Sequence, residues 1–178
     1  KPSIMATPPL LMRFVAHRNL CYKKKSKIIT FPRLLFLIIG LSLFACETKS
    51  EKTKKVISTE KAPKAIGPYS QAVMVDDVLY LAGQIALDPK SGQLVEGGIE
   101  VQTHRVMQNL NAVLDEAGFS LNDVVQTQVF LSDLNHYSAM NAVYAKYFTE
   151  SPPARAVVEA ARIPRDALVE IMMVAQRP

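Results

Sequence analysis

The last apolar segment, residues 168–176, limits the possible folds more than any other stretch of the chain. From 169 to 173 the odd positions are Val, Ile and Met, and they point to one side of a strand. From 168 to 174 the even positions are Leu, Glu, Met and Val, and they point to the other side. Both faces are therefore largely apolar, and both need burial. We expect helices on one face of the sheet and a second subunit on the other.

Two periodicities divide the chain upstream of this strand. Loose or strict alternation predicts strands over 69–75, 78–82, 124–131 and 154–161. Apolar residues three or four apart predict one helix over 99–117, with Gly118 as its C-cap. A second helix is predicted to begin after a cap at Ser132 or Asp133 and to include Tyr147 and Phe148. The order β-β-α-β-α-β-β predicts an α+β fold, a mixed sheet with two helices on one face.

Positive charge is concentrated at one end of the chain. Residues 1–55 hold 12 Lys/Arg and 2 Asp/Glu, a balance of +10, whereas residues 56–178 hold 9 and 14, a balance of −5. Nucleic-acid surfaces depend on clustered Lys and Arg that neutralise phosphates. The acidic balance of residues 56–178 therefore counts against a nucleic-acid partner, and none is expected.

A basic and then apolar leader precedes the domain. Lysines at 23–27 and Arg33 are followed by the apolar run Leu34–Ala45. Twelve residues span about 18 Å as a helix, too little for a bilayer core of about 30 Å, so the run fits the h-region of a secretory signal. It ends in Leu-Phe-Ala-Cys, which resembles the lipobox of bacterial lipoproteins and predicts lipidation of Cys46.

The predicted organisation is thus a leader (1–45), a charged tether (46–55) and one domain (56–178). The expected location is outside the cytoplasm, in the periplasm or anchored to a membrane by lipid. A plain signal peptide and a buried apolar helix are the alternatives for the run. Because the chain starts at Lys1, a mis-assigned start codon is a further alternative, and the protein would then be cytoplasmic.

Few residues of the domain have the chemistry of a reactive site. Both cysteines lie in the leader, and the three histidines are scattered, so we expect no zinc site. Arg155 and Glu170 stand out because they lie on apolar strands, and a guanidinium is well suited to bind a carboxylate through two parallel hydrogen bonds. Tyr69, Gly83 and Asn141 are further candidates at segment boundaries.

Several motifs in this order resemble the RidA/YjgF family, also called endoribonuclease L-PSP-like. The resemblance covers essentially all of 56–178, and the leader lies outside it. The matching segments are Ala-Ile-Gly-Pro-Tyr-Ser-Gln-Ala (65–72), Ala-Gly-Gln-Ile (82–85), Asp-Pro (88–89) with Gly92, Met-Asn-Ala-Val-Tyr (140–144), Pro-Ala-Arg-Ala-Val-Val (153–158) and Val-Glu-Ile (169–171).

The resemblance implies a chorismate-mutase-like fold assembled as a homotrimer with clefts between subunits. It also implies 2-iminobutanoate/2-iminopropanoate deaminase activity, the hydrolysis of reactive enamines and imines to 2-keto acids and ammonia, without cofactor or metal. The implied catalytic residues are Arg155 and Glu170. The implied substrate-binding residues are Tyr69, Gly83, Asn141 and Val157.

Three positions depart from the family pattern. Val157 replaces a frequent cysteine, Ala82 a frequent serine and Met172 a frequent glutamate. These changes bear on substrate preference, and none removes Arg155. Two other functions are compatible with the same motifs: a non-catalytic trimer that binds small carboxylates, and the RNA-cleaving translation inhibitor of the older family label.

Overall fold

The computed structural model describes residues 53–177, and the predicted leader and most of the tether lie outside this range. Within residues 53–177, eight helices and strands follow one another. They are β1 (Lys54–Ile57), β2 (Ala72–Val75), β3 (Val78–Gln84), α1 (Ile99–Ala117), β4 (Val124–Leu131), α2 (Tyr137–Tyr144), β5 (Ala154–Glu159) and β6 (Val169–Gln176). Single 3₁₀ turns precede β4, α2 and β6.

The six strands form one mixed sheet in the order β1-β2-β3-β6-β4-β5. Every neighbouring pair is antiparallel except β4 and β5, which are parallel. The predicted mixed sheet with two helices is confirmed, and β1 is an additional strand at one edge. Its first residue is Lys54, two residues before the predicted start of the domain.

Strand β6 lies inside the sheet, which explains its two apolar faces. Val169, Ile171 and Met173 are at most 1% exposed and pack with residues of both helices in one core. The side chains between them on the other face are half-buried. The predicted facing of β6 is therefore confirmed, and the helices cover one face only.

The boundaries of α1 follow from its sequence. Its buried positions fall three or four apart, from Ile99 to Ala117. Gly118 ends the helix with φ 74°, a left-handed conformation that glycine adopts without steric cost. Its N–H donates to the Asp115 carbonyl at 3.0 Å. The predicted span and C-cap of α1 are confirmed.

Helix α2 is shorter than predicted. The Asp133 carboxylate accepts a hydrogen bond from the Asn135 N–H at 2.7 Å and so caps the 3₁₀ turn before α2. The helix ends at Tyr144, and its last carbonyls are bonded in tight turns that include Tyr147. The prediction that Tyr147 and Phe148 belong to the helix is wrong, although Phe148 is still buried.

Within residues 53–177, the face of the sheet away from the helices is open. Alternation places Tyr80, Met172, Val174 and Val158 on that face, and Tyr80 and Val158 are each about half exposed. Exposed apolar area of this kind is typical of an interaction surface. Among residues 53–177, no helix combines the length and apolar character needed to cross a membrane.

Candidate functional site

Arg155 lies on the edge strand β5 without a carboxylate partner. Register pairs it with Thr127 of β4, so its side chain is on the helix-covered face. The guanidinium carbon lies 4.5 Å from the centre of the Tyr144 ring, and Nη2 donates to the Tyr137 hydroxyl at 3.3 Å. The two ion pairs formed within residues 53–177 involve other arginines. The guanidinium thus keeps donors free for a ligand.

The Arg155 guanidinium stacks on the ring of Tyr144, which is itself held in place by its neighbours. Its hydroxyl shares a hydrogen bond of 2.9 Å with Thr127, which is fully buried, and its ring packs 4.7 Å from that of Phe148. Burial raises the pKa of Tyr144, while the Thr127 bond and the Arg155 charge act in the opposite direction. The ring therefore stays neutral, and stacking on it directs the Arg155 guanidinium.

A surface cavity of about 390 Å³ opens beside this arginine. It has the size of a small-molecule site. Its walls are mostly apolar, and its polar groups come from Arg155, Asn141 and Tyr144. The lining residues are Asn141, Tyr144, Ala145, Phe148, Pro152, Pro153 and Arg155. We call it the Arg155 cavity; its chemistry suits a small carboxylic acid with an apolar side chain.

Glu170 belongs to a second cluster. Its carboxyl group lies directly over Gly83, where a Cβ atom would collide with it. Burial raises the pKa of the Glu170 carboxyl. Gly83 and Tyr69 line a small cavity of about 20 Å³ at the end of β3, together with Gln71 and neighbouring residues. The fold thus brings Tyr69, Gly83 and Glu170 to one region.

The two clusters lie on opposite faces of the sheet. Arg155 pairs with Thr127, whose side chain is buried under the helices. Glu170 pairs with Phe130, an odd number of residues further along β4, and therefore faces the open side. Strand β4 also separates them by two strand spacings, roughly 10 Å. Arg155 and Asn141 are therefore not brought together with Tyr69, Gly83 and Glu170 within one chain.

Val157 has its side chain in the core rather than in a cavity. It is half-buried on β5 and packs against the main hydrophobic cluster. The Ala160 N–H donates to the Leu131 carbonyl, and alternate residues of a strand direct their backbone groups to the same side. The N–H groups of Arg155 and Val157 consequently point to the free edge of β5, where a ligand or a neighbouring chain can accept them.

The histidines contribute to packing in the described part of the chain. His104 is half-buried, and its Nδ1 lies 3.0 Å from the Tyr147 hydroxyl, within hydrogen-bond distance. His136 is also half-buried at the start of α2. Within residues 53–177, no three His, Cys, Asp or Glu side chains are grouped as metal ligands.

Sequence reasoning missed the groups that hold Arg155. The spacing of seven between Tyr137 and Tyr144 predicts one side of a helix, but it does not place either ring next to the arginine. Thr127 was treated only as a strand residue. Thr127 lies beside Arg155 because β4 pairs with β5, and Tyr137 and Tyr144 reach it because α2 packs over these strands. The sequence indicates none of these contacts until the pairing and the packing are known.

Comparison with known proteins assigns the family. The model of the endoribonuclease L-PSP family matches residues 59–177, which is essentially the whole described domain. The chain belongs to this family. The RidA/YjgF resemblance is thereby confirmed, and the predicted leader and lipobox lie outside the matched residues.

Relatives of the family carry different descriptions. A RutC family protein of Pyrococcus abyssi is 54% identical over 124 residues, 70% of this chain and 98% of the relative. The 2-iminobutanoate/2-iminopropanoate deaminase of mouse is 50% identical over 122 residues, 68% of this chain and 90% of the relative. Family membership alone thus leaves the specific reaction open.

Solved structures agree with the fold. A putative endoribonuclease of Thermotoga maritima matches with a TM-score of 0.69 at 46% identity, covering 71% of this chain and 99% of that one. TdcF of E. coli with bound serine matches with a TM-score of 0.67 at 35% identity, covering 70% and 99%. The six-stranded sheet with two helices is therefore the L-PSP family fold.

The raised pKa of Glu170 predicts a pH-dependent stability. Burial penalises the charged carboxylate, so this group favours folding most below its ordinary pKa of 4.5 and loses that contribution as pH rises through the folded-state value. We expect Glu170→Gln to melt above the parent protein at about pH 7, with a difference that shrinks toward about pH 4. Thermal melts followed by circular dichroism measure this.

The matched control is Glu150→Gln, which neutralises an exposed carboxylate outside both clusters. Its melting temperature should follow that of the parent at both pH values. A difference between Glu170→Gln and the parent that is equal at both pH values would contradict the burial argument.

Proposed function

We propose that this protein hydrolyses small 2-imino acids and their enamine tautomers to 2-keto acids and ammonia. The main support is the Arg155 guanidinium, which lines an open cavity and stacks on the Tyr144 ring. It has no ion-pair partner among residues 53–177. Two relatives at about half identity, from mouse and human, are named 2-iminobutanoate/2-iminopropanoate deaminases. The E. coli relative with bound serine holds a small amino acid, which has the same carboxylate.

In the proposed mechanism, Arg155 binds the substrate carboxylate through two N–H groups and fixes the imine carbon. Glu170 accepts a proton from a water molecule, whose oxygen bonds to that carbon, and a proton passes to the imine nitrogen. In the tetrahedral intermediate Glu170 then carries the hydroxyl proton to the amino nitrogen; the C–N bond breaks, ammonia is released, and the carbon keeps the oxygen as a keto group. The raised pKa of Glu170 brings its basicity closer to neutral pH.

A complete site requires two chains in this proposal. Arg155 and Glu170 face opposite sides of the sheet, so one chain does not offer both to one substrate. We propose that the open sheet face packs against a neighbouring subunit in a homotrimer, with Arg155 of one subunit beside Glu170, Gly83 and Tyr69 of the next. The apolar residues on that face and the free backbone of β5 support such contacts.

The direct test is a turnover assay. The full chain, purified in detergent, is mixed with 2-aminoacrylate generated in the cuvette, and pyruvate release is followed against the buffer rate. Accelerated release supports the proposal. Binding of 2-oxobutanoate without acceleration would instead favour a carboxylate-binding protein, and cleavage of RNA would favour the older family label, against which the net charge of residues 56–178 argues.

Gly83 provides a sharper prediction. In Gly83→Ala the new Cβ displaces the Glu170 carboxyl, which is the flexible end of a side chain, so the fold tolerates the change. We expect kcat/KM to fall about tenfold or more, with a melting temperature lower by only a few degrees. Gly98→Ala is the control, because its Cβ meets nothing closer than 3.6 Å. Unchanged turnover in Gly83→Ala would contradict the role of Glu170.

We also propose that the protein is exported and anchored by lipid at Cys46. The support is the order of basic residues, a twelve-residue apolar run, a cysteine and a charged tether. Cells expressing the full chain are labelled with palmitate, and Cys46→Ser is expected to lose the label. Labelling that persists in Cys46→Ser would remove the proposal, and Cys21→Ser is the control.

A further inference from the structure

The loop between β1 and β2, residues 58–70, has few hydrogen bonds of its own. We call it the Tyr69 loop. Within it, the Tyr69 N–H donates to the Gly67 carbonyl at 2.8 Å, the Tyr69 hydroxyl accepts from the Ile66 N–H at 3.3 Å, and the Lys61 N–H donates to Thr59 Oγ1. Residues 64–69 are all exposed. The loop therefore does not determine its own conformation.

One side chain outside the loop supplies most of the missing bonds. Gln71 is 4% exposed, and its Oε1 accepts from the Thr59 N–H at 2.7 Å. Its Nε2 donates to the carbonyls of Thr59, Ala62 and Pro63 at 3.0, 3.3 and 2.8 Å. An amide of this length offers an acceptor and two N–H donors, and the three carbonyls share the two hydrogens.

The backbone of the same residue is joined to β3. The Gln71 carbonyl accepts from the Ala82 N–H at 2.9 Å, directly before Gly83. Gln71 thus connects the Tyr69 loop to the strand segment that lies under Glu170. Gln71, Tyr69 and Gly83 also line the same small cavity of about 20 Å³. A shift of this amide would move both Tyr69 and the neighbours of Gly83.

We infer that Gln71 is a positioning residue, whose amide fixes the Tyr69 loop in the conformation that lines the substrate site beside Gly83 and Glu170. This inference rests on the proposed function for the identity of the ligand. It makes the shape of the Tyr69 and Gly83 half of the site depend on one buried amide that does not touch the substrate.

The test uses two variants of the full chain. Gln71→Met keeps the length of the side chain and removes every hydrogen bond. Gln71→Glu keeps the shape and one acceptor, but it replaces the donating nitrogen with an oxygen that the three carbonyls repel. This variant is used if Gln71→Met does not fold. Gln102→Met is the matched control, because Gln102 is equally buried and accepts from the Leu168 N–H at 2.8 Å, away from the loop.

Two readouts are taken. Hydrogen exchange of residues 58–70 should become about tenfold faster or more in the Gln71 variants and stay unchanged in Gln102→Met. Affinity for 2-oxobutanoate, measured by calorimetry, should fall about tenfold. In addition, Tyr69→Ala should weaken binding in the parent and add little in Gln71→Met, because both changes remove the same contact surface.

The outcomes separate this inference from the proposed function. Faster loop exchange with weaker binding and a non-additive Tyr69 effect supports the positioning role, even if the parent shows no deaminase turnover. Unchanged exchange in 58–70 overturns the inference. Faster exchange with unchanged 2-oxobutanoate affinity also overturns it, because Gln71 would then serve stability alone. A parent that binds no 2-oxobutanoate overturns this inference, whereas the turnover assay alone decides the proposed function.

Discussion

Replacing Arg155 with alanine is expected to lower kcat/KM for 2-iminopropanoate by about 100-fold or more, since a bidentate bond to a charged carboxylate is lost. The stability should change little, because the guanidinium makes no ion pair within residues 53–177 and only one hydrogen bond, of 3.3 Å to Tyr137. Pyruvate release and melting temperature measure the two effects separately.

Two further variants test the chemistry of that contact. Arg155→Lys keeps the charge but loses the planar fork and the stacking on Tyr144, so we expect most of the loss to remain. Arg162→Ala removes an exposed arginine that pairs with Asp166 at 2.8 Å, and it should leave turnover unchanged. Equal activity of Arg155→Ala and the parent would defeat the proposed mechanism.

The second large effect concerns mixed assemblies. Arg155→Ala and Glu170→Gln should each be nearly inactive alone, because each removes one half of every site. When equal amounts are unfolded together and refolded, roughly a quarter of the sites in random trimers combine an intact Arg155 with an intact Glu170 from the neighbouring subunit. We therefore expect activity to reappear at about that fraction of the parent activity.

The control is the same refolding procedure applied to each variant by itself, which should restore no activity. A double variant that carries both substitutions, refolded with an equal amount of the parent, should leave roughly a quarter of the sites intact, about half of the activity that simple dilution of the parent would give. Mixed samples that stay inactive although the subunits exchange, as shown by mass spectrometry of the assembled protein, would contradict a site shared between chains.

Local sequence patterns determined much of this fold. The period of α1 and the glycine after it define a helix and its end, because a left-handed residue at Gly118 costs nothing there. Both faces of β6 are largely apolar, which predicts a strand inside the sheet whose second face also needs burial. Both are short-range properties of the chain, and the structure confirms both.

The weaker signals failed for identifiable reasons. Strand β1 was missed because it is only four residues long and mostly exposed, so its alternation carries no apolar signal. Residues 69–71 were assigned to a strand, but the side chain of Gln71 binds loop carbonyls and β2 begins only at Ala72. Hydrogen bonds from side chains to a distant backbone do not appear in any periodicity.

The sequence by itself identified the family and the strands on which the candidate residues Arg155 and Glu170 lie, since motifs and alternation are local. It also indicated a sheet with an uncovered face. Only the tertiary structure decided that the two residues lie on opposite faces, because this follows from the register of β4 with β5 and β6. The stacking of Arg155 on Tyr144 likewise follows from tertiary packing, as do the hydrogen bonds from Gln71 to Thr59 and Pro63.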